Sequence, residues 1–402
     1  MSRTLVIQLA RLGDLVQIMP MIASLRKQQS QDTIDLLCSD SIRDVGTLIP
    51  GINRTIGWNG PRWHRWAEQA TPGLQQEQLH EIETELTSLF PYTYDRAFIL
   101  NQHTRALVAG TLLAKECIGP LAQGPLSKEL TPWASYIRDI ARTRRTNRIH
   151  LSDAFCGMCG LPPPGMPPRC LTPLTSLSRI LAQIGQGGGP WIGLIVGAGD
   201  PARLVPVGIW RSWITRFLSV IPRGRVVLIG QGAECHRAQE IQQTLPPSAL
   251  GRIWDITGRT TIHELAAVLA RLDRVIGSDT GPLHLSAAVG TPVIGWYFGR
   301  ARVHETGPYG PGHQIWQAHS EDDGPAMPVD WPIEPSLDAL LNESPRLHAH
   351  WSQWSSHIDR WGTYYSDSGH TSPPPGEREH LWHELSPAIP VDRKSTRLNS
   401  SH

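Results

Sequence analysis

Charge is scarce in this chain. Of its 402 residues only 18% are Asp, Glu, Lys or Arg, against about 25% in an average protein. The two signs nearly cancel, with 37 basic and 36 acidic side chains and a formal net charge of +1. That balance excludes a strongly basic nucleic-acid binder, an acidic tail protein and a charge-laced coiled coil. Long apolar runs are missing too, since no stretch approaches the roughly 18 residues that cross a bilayer. Cysteine numbers six, and only Cys156 and Cys159 form a C-x-x-C, with Cys170 eleven positions on. No second C-x-x-C completes a metal set, so these are read as reduced, structurally incidental thiols. Several signatures are absent as well: the phosphate loop G-x-x-x-x-G-K-[ST], the zinc helix H-E-x-x-H and the nucleophile elbow G-x-S-x-G.

What is plentiful is glycine, proline and tryptophan. The 37 glycines and 34 prolines make up about 18% of the chain, where about 12% is usual. Fifteen residues are Trp, and 40% are hydrophobic. That apolar content can offset the entropy of folding, so a globular protein of two or three domains is expected. The opening MSRTLVIQLARLGDLVQIMP has an apolar run of only five residues, closed by Arg11 and Asp14. Without a small-residue cleavage site it reads as a strand and loop rather than a secretory signal, and a cytoplasmic location is expected.

Short apolar runs alternate with helical patterns along most of the chain. Strands are expected at 4–9, 34–38, 54–57 and 96–100, and helices from Leu15 to Leu25 and at 42–48, 75–89 and 106–115. Residues 58–66 are a Trp-rich loop or insertion. The segment 157–173 is dense in Gly, Pro and Met and reads as an interdomain linker. Alternation then resumes, with strands at 191–196, 225–229, 274–277 and 292–297, and helices at 208–220, 233–244, 261–270 and 282–289. This is the pattern of parallel α/β units. Two such blocks imply two facing doubly wound domains, with a crevice at the carboxyl ends of their strands. Beyond residue 322, Trp351, Trp354, Trp361 and Trp382 lie among polar residues, and packing against the body is their expected role. The last ten residues, RKSTRLNSSH, read as an appended adaptor-derived tail.

Two motifs sit where such a crevice would be. Arg11-Leu-Gly-Asp14 follows the first strand; Gly13 suits a sharp turn, while Asp14 suits a helix cap worth about 1 kcal/mol. Its carboxylate can also take a proton from an alcohol, and the two readings are compatible. The second motif, Gly277-Ser-Asp-Thr-Gly-Pro-Leu-His284, again joins a strand to a helix. Backbone N–H groups near Thr280 and Gly281, the Thr280 hydroxyl and the positive helix end can cradle an anion, with His284 one turn in. The local alternative makes Asp279 or Thr280 a cap and His284 a satisfied, half-buried side chain. Gly230-Gln-Gly232-Ala-Glu234 is half of a dinucleotide fingerprint and marks a tight turn.

Together the motifs resemble glycosyltransferase family 9, the ADP-heptose:lipopolysaccharide heptosyltransferases. Members carry R-x-G-D followed by a Pro-containing helix, here 11–20, and S/N-D-T-G-P-x-H-x-A-A followed by G-T-P, here 278–288 and 290–292. The resemblance covers about residues 4–316. It implies a GT-B fold: an acceptor-binding Rossmann-like domain at 1–165 and a nucleotide-sugar domain at 174–320. A Trp/Pro-rich C-terminal extension at 321–392 and the tail at 393–402 follow. It further implies inverting, metal-independent transfer of a heptose from ADP-L-glycero-D-manno-heptose to the Kdo/heptose inner core of lipopolysaccharide. Carried over by position, Asp14 is the base and Arg203 meets the diphosphate. Glu234 lies near the ribose, and Gly13, Asp279, Thr280, Gly281 and His284 complete the donor site. The implied partners are a nucleotide sugar and a lipid A or inner-core acceptor, with contact at the cytoplasmic face of the inner membrane left open and no nucleic acid. Two departures stand out: Val205 replaces the usual Trp, and Arg203 stands where many members have Lys. They leave two alternatives: a transferase using another nucleotide sugar, or a non-catalytic sugar-nucleotide or glycan-binding module.

Overall fold

The computed structural model describes residues 2–59, 76–90, 92–102, 104–119, 131–140, 142, 144–172, 184, 188–319, 327–344, 346–367 and 375–386. The adaptor-like tail at 393–402 and residues 60–66 of the Trp-rich insertion lie outside these.

Five strands make the first sheet: β1 (Arg3–Gln8), β2 (Thr33–Ser39), β3 (Arg54–Trp58), β4 (Tyr94–Ile99) and β5 (Ala114–Ile118). All pair in parallel, in the order β3-β2-β1-β4-β5. The second sheet starts with β6 (Trp191–Ile195), β7 (Arg225–Ile229), β8 (Ile253–Asp255), β9 (Arg274–Ser278), β10 (Val293–Tyr297) and β11 (Gln314–Ala318). Two more strands, β12 (Trp351–Asp359) and β13 (Gly362–Asp367), complete it in the order β13-β12-β11-β10-β9-β6-β7-β8. Strands β6 to β11 are parallel, while β12 and β13 pair antiparallel. Every residue of β6 and β10 is buried, as expected where helices cover both faces of a parallel sheet. The strand order reverses between β1 and β4 and again between β6 and β9, and such switch points open a crevice at the carboxyl ends.

Several boundaries differ from the sequence reading. The helix expected at 106–115 ends at Leu113, and Ala114–Ile118 forms β5 instead. Helical periodicity did not distinguish this short edge strand, whose pairing with β4 decides its conformation. The helix expected at 42–48 shrinks to a 3-10 turn, Asp40–Ile42, and one helical turn, Arg43–Gly46. The helix expected at 261–270 forms over Ile262–Leu269. It starts in a capping box: the Glu264 N–H donates to the Thr261 hydroxyl at 3.2 Å, and the Glu264 carboxylate accepts the Thr261 N–H at 2.8 Å.

The tryptophans find their places largely in cores. Trp210 and Trp296 stack on the outer face of the second sheet with ring centroids 5.1 Å apart, and Trp331 lies against Trp351 at 5.7 Å. Trp58 is buried at the end of β3. A further apolar cluster runs through both halves, from Leu15 and Trp133 in the first to Leu283 and Tyr365 in the second.

The linker is regular helix until Met158 and irregular from there to residue 172. It is stitched to both sides. Ser24 donates to the Pro162 carbonyl at 2.8 Å and the Leu171 N–H to Leu48 at 2.9 Å, while the Cys170 N–H donates to Ala288 at 2.9 Å. Burial raises the thiols of Cys156, Cys159 and Cys170, the last to about 12, which holds them protonated. Among the described residues no helix is long and apolar enough to cross a membrane.

The C-terminal part packs back on the first half. Helix Pro375–Leu385 sets Trp382 against Trp133 with ring centroids 4.4 Å apart, and the Trp133 indole donates to Ser386 at 2.7 Å. Asp153, on helix Leu151–Met158, pins the β12–β13 hairpin. Its buried carboxylate accepts the Tyr309 hydroxyl at 2.7 Å and the Thr363 N–H at 2.9 Å. Replacing Asp153 by Ala orphans two buried donors and is expected to cost about 2–4 kcal/mol in denaturant unfolding. A loss below about 0.5 kcal/mol, the range of an ordinary surface change, would contradict this role.

Candidate active site

The site forms where one-turn helix Leu12–Val16, after β1, meets helix Gly281–Val289, after β9. Two glycines allow the approach. A Cβ on Gly281 would lie 2.6 Å from Leu12 Cδ2 and 3.2 Å from the Gly13 nitrogen. A Cβ on Gly13 would lie 2.9 Å from His284 Cδ2. Gly13 is therefore explained by contact across the cleft and not by a left-handed turn, because its φ is not positive. This corrects the turn-based reading of that residue.

Asp14 lies at the third position of its helix, where its Oδ2 accepts the Arg11 N–H at 3.0 Å. Arg11, not Asp14, is thus the N-cap residue, which corrects the cap reading: Asp14 reaches back to it from inside the first turn, half-buried at the cleft. Burial is the largest influence on it and raises its pKa above the usual carboxylate value. The Arg11 N–H, His284 and the Arg11 charge pull the other way, while Asp279 adds to the rise.

Asp279 is buried at the carboxyl end of β9 and fully engaged. One oxygen faces His284 Nε2 at 3.1 Å; the other meets Arg203 Nη1 at 3.0 Å and accepts the Thr306 hydroxyl at 3.4 Å. Arg203 Nη1 also donates to the Asp279 carbonyl at 3.1 Å. Burial opposes the charge of Asp279, but His284 and Arg203 outweigh it and hold the carboxyl below its ordinary value. Arg203 uses only Nη1 in these bonds, and among the described residues the Nε and Nη2 donors of its fork make no hydrogen bond. Its side chain remains 27% exposed.

Thr280 stands at the N-cap position of its helix without a side-chain cap, and its hydroxyl turns to the Ser278 carbonyl at 3.2 Å. Neither Asp279 nor Thr280 thus supplies the side-chain cap that the local reading expects. The Asp279 charge is needed by Arg203 and His284, and the helix end stays open to an anion. His284 is more deeply buried than expected, at 5% exposure. Glu234 bonds within its own turn to the Gln231 N–H and lies over Gly197, whose Cβ would meet Glu234 Cδ at 2.5 Å. Structure thus brings Gly13, Asp14, Arg203, Asp279, Thr280, Gly281 and His284 together, and sets Glu234 on the β6–β7 side of the same mouth.

Some neighbours escaped the sequence reading. Gln17 Nε2 reaches His284 Nε2 at 3.4 Å, and its own Oε1 is buried without a hydrogen-bond partner. Its position one turn after Gly13 and Asp14 is a signal that helical spacing offers. Thr306 and Glu305 carry none, because they come from a short helix after β10. Burial lifts Glu305 to about 7 against the pull of Arg144, whose Nη1 lies 3.4 Å from Oε2.

With this geometry in hand, the chain was compared with known proteins. Residues 147–326 match the sequence model for glycosyltransferase family 9 (heptosyltransferase). That match covers less than half of the chain. The chain is 42% identical over 43 residues to the lipopolysaccharide core heptosyltransferase OpsX of Haemophilus influenzae, and 31% identical over 72 residues to lipooligosaccharide heptosyltransferase 2 of the same organism. These alignments span 11% and 18% of this chain, and only 12% and 21% of those relatives. In three dimensions it is similar to Escherichia coli ADP-heptose lps heptosyltransferase II, with TM-score 0.59 and 16% identity over 80% of this chain and 92% of that one. It is also similar to E. coli heptosyltransferase WaaC with ADP, with TM-score 0.60 and 16% identity over 85% of this chain and 100% of that one. A family 9 protein from Veillonella parvula gives TM-score 0.61 and 18% identity over 80% of this chain and 88% of its own. The chain therefore has the GT-B fold of these structures, with the crevice between its two sheets.

The glycine contact can be tested directly. Gly281→Ala drives a methyl into Leu12 and should cost about 1–3 kcal/mol in unfolding. Gly208→Ala, with nothing within 4 Å of the added Cβ, should be neutral or stabilising by up to about 1 kcal/mol. Equal effects of the two would mean that the close approach carries no weight.

Proposed function

We propose that this chain is a family 9 transferase that moves a heptose from ADP-L-glycero-D-manno-heptose to the Kdo/heptose inner core of lipopolysaccharide. One observation carries the reading: a half-buried carboxylate, Asp14, faces the Arg203–Asp279–His284 group across the contact of the two switch-point helices. The likeness to proteins described as ADP-heptose transferases supports the choice of donor and acceptor. A cytoplasmic location, at the face of the inner membrane where a lipid-borne acceptor is reached, belongs to the same proposal.

In this reading the acceptor hydroxyl lies on the first-half side of the cleft. Asp14 takes its proton as the oxygen attacks the anomeric carbon. The bond from that carbon to the diphosphate breaks on the opposite face, so one displacement inverts the centre. Negative charge grows on the leaving ADP. Arg203 and the uncapped helix end at Thr280 and Gly281 meet it, while Asp279 fixes the direction of the guanidinium and Glu234 stands on the side assigned to the ribose. The positive charge that helps ADP to leave comes from these groups and not from a metal ion. His284, bonded to Asp279 and touching Gln17, holds the two halves in register.

Asp14→Asn keeps the shape and removes the base. Transfer followed by mass spectrometry of a Kdo-bearing lipid A acceptor should fall by about two to four orders of magnitude, with ADP binding by calorimetry unchanged. Near-wild-type turnover would refute the assignment. Because the Asp14 pKa is raised and the base acts only when ionised, kcat of the wild type should decline as pH falls through a value above the ordinary carboxylate range. A rate flat down to pH 4 would contradict it. Val205, buried in place of the family's Trp, favours asking about the sugar separately. A panel of ADP-heptose, ADP-glucose, UDP- and GDP-sugars does so, and exclusive use of a non-ADP donor would overturn the narrow reading.

A further inference from the structure

Arg11 carries a full positive charge in the cleft that the reaction above does not use. Its backbone N–H is committed to Asp14. Its guanidinium, on an exposed residue, forms no ion pair and donates no hydrogen bond among the described residues. The side chain also has a direction. It leaves the end of β1 in the first half and reaches the turn after β6 in the second, where a Cβ on Gly199 would lie 3.8 Å from Arg11 Nη1. That turn runs on through Asp200 to Arg203, which is already bound to Asp279. Two guanidinium groups therefore border one opening from opposite halves, and that of Arg11 makes no ion pair among the described residues.

An arginine presents a planar fork of donors that fits a phosphate or carboxylate in two parallel bonds. We propose that Arg11 binds a substrate oxyanion across the cleft, either a phosphate of the donor or a carboxylate of the acceptor. The site also couples to the base. The Arg11 charge is among those that lower the Asp14 pKa, so an anion that neutralises Arg11 lets Asp14 bind its proton more strongly just as the substrate arrives.

This inference rests on the proposed glycosyl transfer, and the experiment separates the two. Wild type, Arg11→Ala and Arg11→Lys are titrated with ADP by calorimetry and assayed for the acceptor KM. Arg11→Ala should weaken ADP binding or raise acceptor KM by about tenfold or more, with an unchanged Tm. Lys, a charge without the fork, should restore only part. Loss of ADP affinity identifies the donor phosphate. A rise in acceptor KM alone identifies the carboxylate, and an acceptor esterified at that carboxylate should then behave alike with wild type and variant. Wild-type values for Arg11→Ala in both measurements overturn the inference and leave the transferase reading standing. A wild type that neither binds ADP nor transfers sugar overturns that reading. Inorganic pyrophosphate then decides on Arg11: binding lost in Arg11→Ala supports it, and equal or absent binding overturns it.

Discussion

Everything at the cleft depends on how closely two helix starts can approach. Leu12 and Gly13 lie against Gly281 with room for hydrogen atoms but not for side chains. Close-packed interiors transmit such constraints, so a methyl group at this point would displace Asp14 from His284 and Asp279 together. In the proposed transfer the first half contributes the carboxylate of Asp14 and the second the set Arg203, Asp279 and His284, so neither half would work alone. The glycines matter to that proposal without offering a functional group.

The two carboxylates of the site are driven in opposite directions by what surrounds them. Asp279 has His284, Arg203 and Thr306 within hydrogen-bonding distance and remains ionised. Asp14 is desolvated by burial, has fewer compensating partners and suffers the negative charge of Asp279 besides, so its proton affinity rises. Groups whose environments push their proton affinities apart mark a division of labour. In the proposed reaction Asp279 is the counter-charge that aims a guanidinium, and Asp14 is the group that accepts a proton.

Much of this was legible in the sequence. Short apolar runs separated by helical spacing gave the strands nearest the site, β1, β6 and β9, because buried parallel strands have a composition of their own. Strand-to-helix junctions placed Asp14 and the Ser278–His284 motif at the two switch points. The reason for Gly13 was not legible, because its partner His284 is 271 positions away and only packing brings them together. Strands β5, β8 and β11 escaped because their sequences, AKECI, IWD and QIWQA, interrupt the apolar run with polar residues, and β12 and β13 because their pairing is decided by the neighbour in the sheet. The Trp excess likewise gains meaning only in three dimensions, where Trp210, Trp296, Trp331 and Trp351 share one layer.

The return of the C-terminal helix to Trp133 changes the mechanics of the molecule. The polypeptide crosses between the halves once through the linker and comes back through the segment ending at Trp382 and Ser386. Asp153 adds a further tie through Tyr309 and Thr363, and one apolar cluster runs through both halves. Pulling the halves apart must therefore break buried contacts at several places at once. The far end of the chain is in that sense a clasp, one of the ties that keep Asp14 and Arg203 on facing walls.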